Sequence, residues 1–226
     1  MIYLLHGALG SSHELQPLAN RLPFKTQLYT FSGHGRTPSQ THAATIQTYA
    51  HEVLQDMNAR QIPQAAFFGY SMGGYVALWL ARFYPERVQR VFTLGTKFHW
   101  NEQEAIKETS RLHADKIAEK VPAFANELAQ RHGEQEWRSV LQKTAHLMHD
   151  LGKHHLLESD FNAITCPIIL ARAAHDTMVT KEETETAAQW LPKSQLITIP
   201  DSQHPIAQTN LEVLTRLVQE FFGSPI

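Results

Sequence analysis

Short β-rich runs alternate with longer amphipathic segments along most of the chain. None of the runs shows the strict polar and apolar alternation of a strand with one face in water, so each reads as a strand buried on both faces. Six runs have the right length: residues 2–5, 27–31, 65–69, 88–94, 167–173 and 195–199. Between them, apolar residues recur at helical spacing, most clearly over 46–57 and 211–222. The pattern predicts an α/β fold, with a mostly six-stranded parallel sheet covered by helices on both faces.

One stretch interrupts this alternation. Residues from about 99 to 162 are rich in Glu, Gln, Ala, His and Lys, with apolar residues at helical spacing and no strand signal. We expect them to form a helical lid inserted into a single domain that covers residues 1–226. A separate helical domain is the alternative, because some sixty residues are just enough to form one.

Composition narrows the class of protein. The chain has 226 residues, of which 42% are hydrophobic and 19% charged, as in an ordinary globular protein with its own core. Twenty Lys and Arg stand against 22 Asp and Glu, and no basic block is present to bind phosphates. The expected partner is therefore a small molecule and not nucleic acid, and the sequence leaves the oligomeric state open.

The termini and the cysteine content favour the cytoplasm. Residues 1–5 run directly into His6, which leaves no room for the charged and apolar regions of a signal peptide. No apolar run approaches the roughly 18 to 20 residues that cross a bilayer. The single cysteine, Cys166, excludes an internal disulfide and suits a reducing compartment.

Residues 69–74, Gly-Tyr-Ser-Met-Gly-Gly, fit the pattern G-x-S-x-G between a predicted strand and a helical run. A serine on a sharp strand-to-helix turn needs small neighbours, and Gly69 and Gly73 meet that need. Its place at a helix N-terminus also makes the Met72 amide a candidate donor to an oxyanion. We predict that Ser71 is a nucleophile; a helix-capping serine between packing glycines is the alternative.

The first predicted strand leads into a glycine-punctuated loop, His-Gly-Ala-Leu-Gly-Ser-Ser, over residues 6–12. Such a loop lies at the carboxyl edge of the sheet, where open α/β folds bind ligands. The Ala8 amide is therefore the candidate for a second oxyanion donor, although a plain strand-to-helix turn would look the same. We interpret His6 as a residue that braces the loop and not as a base.

A serine hydroxyl needs a base, and fourteen histidines compete for that role. His204 follows the last predicted strand and precedes the C-terminal helix, where this chain order places the base. Asp176 lies just past the preceding strand, so it is the predicted acid that orients the imidazole. Asp201 is the competitor, but it is only three residues from His204 and cannot easily curl back to the ring.

Together these four segments resemble the α/β-hydrolase superfamily, especially its small lid-bearing esterases and C–C hydrolases. The loop at residues 31–39 is similar to the family's G-H-G-x-S loop, and His204-Pro205 before a terminal helix is similar to its ending. The family usually has two further strands before the His-Gly loop, and five residues leave no room for them. The resemblance therefore implies a shortened sheet with the 27–31 strand at one edge.

The resemblance implies a serine hydrolase without a cofactor that cleaves a small carboxylic ester through an acyl-enzyme. By position, we expect Leu9, Tyr75 and Trp100 to contact the substrate. A C–C hydrolase or a lyase of the menaquinone-synthase type is the alternative, but that branch usually has an arginine where this chain has Tyr75. A slow-turnover ligand sensor is a further possibility.

Residues 146–153, His-Leu-Met-His-Asp-Leu-Gly-Lys, resemble the His-Asp box of metal-dependent phosphohydrolases. Such a site would need further ligands, for example His113 and Asp160, held in a larger helical bundle. The flanking strand pattern leaves no space for that bundle. We therefore expect no metal, and we expect these histidines to face solvent or to pack within the lid.

Overall fold

The computed structural model describes residues 1–40 and 42–224. Within them, six strands form one sheet in the order β2-β1-β3-β4-β5-β6, and every neighbouring pair is parallel. The strands are β1 (Ile2–Leu5), β2 (Thr26–Tyr29), β3 (Ala65–Tyr70), β4 (Val88–Leu94), β5 (Ile168–Ala173) and β6 (Ser194–Ile199). The predicted six-stranded parallel sheet, with the second strand at one edge, is confirmed.

The second strand is shorter than predicted at its C-terminal end. β2 ends at Tyr29, whereas the apolar run continues to Phe31. The Phe31 amide donates a hydrogen bond to His6 Nε2 at 3.1 Å, so it serves the loop after β1 and not a strand ladder. Phe31 remains fully buried, which explains why it reads as part of the strand.

Helices occupy both faces of the sheet and the segment between β4 and β5. The helices are α1 (Gln16–Ala19), α2 (Ile46–Ala59), α3 (Met72–Phe83), α4 (Glu102–Thr109), α5 (Ala114–Lys120), α6 (Pro122–His132), α7 (Trp137–His154), α8 (Glu158–Asn162), α9 (Lys181–Trp190) and α10 (Leu211–Gly223). The two helices predicted from periodicity are confirmed as α2 and α10. Across the described part of the chain, no helix combines the length and apolar character that a membrane span requires.

The core lies in two layers because successive strand residues point to opposite faces. Tyr3 and Leu5 of β1 pack in the layer that includes α2, α3 and α9. Leu4, between them, packs in the other layer with Leu18 of α1 and Leu214 of α10. Burial on both faces is the physical reason why the four inner strands read as continuous apolar runs. The edge strands β2 and β6 depart from the expectation, because most of their residues are half-buried or exposed.

We call helices α4 to α8 the inserted helices, and three of them, α5 to α7, share a small apolar cluster around Leu128 and Leu141. Hydrogen bonds fasten them near both ends. Glu183 Oε1, at the start of α9, accepts the Phe98 amide at 2.8 Å. The Tyr75 hydroxyl of α3 accepts the Leu156 amide at 2.8 Å.

Candidate active site

Ser71 occupies the turn between β3 and α3 with a backbone that ordinary residues avoid, at φ 50° and ψ −115°. A Cβ on Gly69 would collide with the backbone of Gly73, and a Cβ on Gly73 would collide with the backbone of β1. Only glycine fits two residues before and two residues after this serine. The Ser71 amide donates to Leu94 O at 2.8 Å, and its carbonyl accepts from Thr96 Oγ1 at 3.0 Å, so neighbouring backbone holds the strained turn in place.

Asp176 and His204 come together from the loops that follow β5 and β6. His204 Nδ1 lies 2.9 Å from Asp176 Oδ2, and the carboxylate side chain is fully buried. The other oxygen, Asp176 Oδ1, accepts the amides of Met178 and Val179 at 2.8 and 2.9 Å. Burial alone raises the pKa of Asp176, but the hydrogen bond and charge of His204 and these two amides outweigh it, so the pKa lies below its ordinary value.

Two further features position His204, one at its backbone and one beside its ring. The Tyr70 hydroxyl donates to the His204 carbonyl at 2.9 Å. A Cβ on Gly95, which has φ +60°, would lie 3.3 Å from His204 Nδ1 and 3.4 Å from Asp176 Oδ2, so the backbone approaches both groups closely. Asp201, the competing acid of the sequence analysis, is exposed on the turn before His204.

A small cavity opens at the carboxyl edge of the sheet. Ser71 and His204 both line it, together with Lys97 and Glu108. The rest of its wall is apolar or aromatic: Ala8, Ile46, Met72, Tyr75, Trp100, Leu147, Met148, Leu151, Met178 and Val179. The structure thus places Tyr75 and Trp100 beside Ser71. Leu9 does not line this cavity; it packs against the inserted helices.

Two backbone amides beside this cavity are free to bind a ligand. Within residues 1–40 and 42–224, the amides of Ala8 and Met72 donate to no protein acceptor. Met72 is the first residue of α3, where amides have no intrahelical partner and the helix dipole favours negative charge. Ala8 lies in the turn after β1. Both residues line the same cavity as Ser71.

His6 lies next to this turn but does not reach the cavity. It is fully buried, and its Nε2 accepts the Phe31 amide, so its Nδ1 carries the proton and donates to Gly7 O at 2.8 Å. Burial lowers the pKa of His6 well below its ordinary value, which keeps the ring neutral. These contacts fit the bracing role expected from the sequence.

The His-Asp motif lies on α7, and its His and Asp side chains do not line the cavity, although Leu147, Met148 and Leu151 of the same segment do. His146 and His149 are exposed, and Asp150 Oδ1 lies 2.8 Å from Nδ1 of His154 one turn further on. Asp160 accepts a hydrogen bond from Arg82 at 3.0 Å. Among the residues that the structure describes, no three His, Cys, Asp or Glu side chains converge on a point where a metal ion would fit.

Sequence reasoning missed the groups that hold the turn after β1. Glu14 Oε1 accepts the Gly7 amide at 2.9 Å, and a Cβ on Gly10 would collide with the same carboxylate. Arg131 and His132 of α6 both bond to the carbonyl of Leu9. The two glycines signal that something packs against this loop, but no sequence signal identifies partners more than a hundred residues away.

These features define one class of α/β fold: a parallel sheet, a strained serine turn after a central strand, and an acid and a histidine on the loops after the last two strands. Residues 1–135 match the family model described as alpha/beta hydrolase fold. The chain therefore belongs to this family, as the resemblance implied.

The relatives are distant, but they cover most of the chain. It is 26% identical to 3-oxoadipate enol-lactonase 1 of Acinetobacter baylyi, over 96% of this chain and 85% of the relative. It is 24% identical to a pimeloyl-[acyl-carrier protein] methyl ester esterase of Neisseria meningitidis, over 97% and 92%. The solved enol-lactonase of Burkholderia xenovorans superposes with a TM-score of 0.81 at 18% identity, covering 99% of this chain and 91% of that one. At that identity the superposition shows the fold alone.

Proposed function

We propose that this chain is a serine hydrolase that cleaves a small carboxylic ester, with Ser71, Asp176 and His204 as its catalytic triad. The observation that carries the proposal is that Ser71 and His204 line one cavity while Asp176 bonds to Nδ1 of the same imidazole. That bond leaves Nε2 as the ring nitrogen available to Ser71. The names of the Acinetobacter and Neisseria relatives describe enzymes that act on ester bonds, a lactone in the first and a methyl ester in the second.

In the proposed reaction, Ser71 Oγ attacks the acyl carbon while His204 Nε2 takes its proton. Asp176 stabilises the imidazolium that forms. The imidazolium then returns the proton to the leaving alkoxide as the ester C–O bond breaks, which leaves an acyl-enzyme on Ser71. A water molecule, deprotonated by the same nitrogen, then attacks the acyl carbon. As the bond between the acyl carbon and Ser71 Oγ breaks, the imidazolium returns the proton to Oγ, which releases the acid and free Ser71.

The amides of Ala8 and Met72 stabilise the oxyanion of each tetrahedral intermediate. Donors held in place before the reaction need no reorganisation as charge develops, and one such donor is typically worth about 10² to 10³ in kcat. The apolar wall of the cavity favours an apolar acyl group. Because Glu108 of α4 and Leu147, Met148 and Leu151 of α7 line the cavity, we also propose that the inserted helices act as a lid over the bound ester.

Replacement of the proposed nucleophile tests this function directly. Ser71→Ala is expected to lower kcat on p-nitrophenyl esters by about 10⁴ to 10⁶, because the members of a triad act as a unit. Ser159→Ala, which removes an exposed hydroxyl on α8, is the matched control and should leave kcat unchanged. A loss of only a few-fold in Ser71→Ala would reject the assignment.

Covalent labelling separates the hydrolase from the alternatives. The wild-type protein should gain one phosphonyl group from a fluorophosphonate, on the peptide that contains Ser71, and should release p-nitrophenol in a burst. A lyase that uses the triad only to move protons would show turnover of its own substrate without that burst. A ligand sensor would bind esters with negligible turnover.

A further inference from the structure

The turn that carries Ala8 contains a strained residue. The Gly10 amide donates to Gly7 O at 3.1 Å and closes a four-residue turn with Ala8 and Leu9 at its centre. Leu9 has φ +58°, a region that favours glycine because a Cβ crowds the backbone there. A residue with a side chain persists in this conformation only where its surroundings hold it.

Helix α6 supplies that hold through the carbonyl of Leu9. Arg131 Nη1 donates to Leu9 O at 2.7 Å, and His132 Nε2 lies 2.9 Å from the same oxygen. His132 Nδ1 accepts the Gly35 amide at 3.0 Å, so Nδ1 carries no proton and the neutral ring donates through Nε2. His132 is 1% exposed, and its burial lowers its pKa, which favours this neutral form.

The side chain of Leu9 is held by the same part of the protein. It packs against the apolar cluster of the inserted helices that includes Leu128 and Leu141. On the other side of the turn, Glu14 accepts the Gly7 amide at 2.9 Å. Glu14 therefore fixes Gly7, the first residue of the turn, and the inserted helices fix Leu9, its third residue.

We infer that Arg131 and His132 are positioning residues that set the direction of the Ala8 amide by fixing the carbonyl of Leu9. The Leu9 carbonyl lies in the peptide plane shared with Gly10, and the Ala8 N–H lies in the plane shared with Gly7. The hydrogen bond from the Gly10 amide to Gly7 O joins these two planes, so a shift of the Leu9 carbonyl also turns the Ala8 N–H. The inserted helices thereby complete the oxyanion site in addition to covering the cavity. This inference rests on the proposed function, because it assigns Ala8 a ligand.

Two substitutions at His132 separate the contact with Leu9 from the contact with Gly35. His132→Gln keeps an N–H donor near the position of Nε2, whereas His132→Asn keeps only an acceptor near the position of Nδ1. We expect His132→Asn and Arg131→Met to lower kcat on p-nitrophenyl esters by about 10-fold or more and to change KM by less than about 3-fold, since the amide acts on charge that develops in the transition state. His132→Gln should keep kcat within about 3-fold of wild type.

The matched control is Arg138→Met, which removes an equal charge from an exposed site on α7 and should leave kcat unchanged. Melting temperatures show whether each variant folds. Equal loss of kcat in His132→Gln and His132→Asn, or retention of kcat in both His132→Asn and Arg131→Met, overturns the inference while Ser71-dependent turnover of the wild type stands. Absence of Ser71-dependent turnover in the wild type overturns the proposed function instead.

The inference can also be tested by a measurement that does not depend on turnover of an ester. The ¹H–¹⁵N resonance of the Ala8 amide should shift in Arg131→Met and His132→Asn and stay close to its wild-type position in His132→Gln and Arg138→Met. An Ala8 resonance that is the same in all four variants overturns the inference.

Discussion

A buried carboxylate is normally pushed toward its neutral form, and Asp176 resists this because three groups bond to it. One oxygen faces the imidazole of His204, and the other accepts two amides from the loop that follows. Their combined effect lowers the pKa of Asp176 despite its burial. The side chain therefore remains an anion near neutral pH, as a residue that stabilises an imidazolium must.

The amide analogue tests this role of the charge. Asp176→Asn should keep the fold but lower kcat by about 10³ to 10⁴, because an amide holds the wrong imidazole tautomer and cannot stabilise the cation. The measurement is kcat on a p-nitrophenyl ester at pH 7.5. Asp201→Asn is the matched control, because Asp201 is exposed and was the competing acid. If the two variants lost activity equally, Asp176 would not be the acid.

Single residues were predictable where chain order or backbone geometry restricts the choice. Ser71 is marked by its flanking glycines, while Asp176 and His204 are marked by their places after two strands. Arg131 and His132 carry no such mark, because they reach Leu9 from 122 and 123 residues away in the sequence. Their contacts depend on how the inserted helices pack, which the periodicity of those helices does not determine.

At the scale of elements, the short 3₁₀ turn after the His-Gly loop buries a titratable group. Burial raises the pKa of Glu14 to about 7, and the Gly7 amide, Arg131 and His204 offset only part of this effect. The ordinary pKa of the group is 4.5. Between these values the folded protein keeps a proton that the unfolded chain has lost, so this group's contribution to stability falls as the pH rises through that window.

Removal of this titration should change how stability depends on pH. The wild type should lose stability as the pH rises from 5 to 8, and Glu14→Gln should not, because the variant has no carboxylate to ionise. Over this range the free energy of unfolding of the variant should therefore rise by about 2 kcal/mol relative to that of the wild type. Urea denaturation at the two pH values measures this difference. Glu127→Gln, an exposed change on α6, should follow the wild type. Parallel curves for Glu14→Gln and the wild type would contradict the prediction.

Strand boundaries were predictable to within about one residue wherever the backbone N–H and C=O groups bond to the neighbouring strand. β1 and β4 match their apolar runs, and β5 begins one residue later than predicted. β2 is the exception, because the bond from the Phe31 amide to His6 ends it early. That bond joins two loops, and hydrophobic periodicity carries no information about it.

At the scale of the whole molecule, the cavity exists only when nearly the entire chain is folded. Its wall extends in sequence from Ala8 to His204 and combines loops at the sheet edge with α4 and α7. The parallel sheet and its edge were predictable from the pattern of the chain. The polar pair Lys97 and Glu108 in an otherwise apolar wall was not, because it depends on where the inserted helices dock.

The wall contributed by α7 should limit the length of the acyl group. Met148→Trp places a larger side chain in that wall and should lower kcat/KM for p-nitrophenyl octanoate relative to the acetate by about 10-fold or more, within the range of discrimination that apolar pockets reach. Met148→Ala should change the ratio in the opposite direction. Ile106→Trp, at a position 61% exposed on α4, is the control. An unchanged chain-length profile in both Met148 variants would place the acyl group elsewhere.

The hydrogen bonds near the two ends of the inserted helices also restrict how a substrate can enter. Glu183 holds the amides of Phe98 and His99, and Tyr75 holds that of Leu156. A movement that keeps these bonds has both of its hinges between residues 99 and 156, away from β4 and β5. A ligand can then enter and leave the cavity by bending within the insertion, while the loop that presents Asp176 to His204 stays where it is.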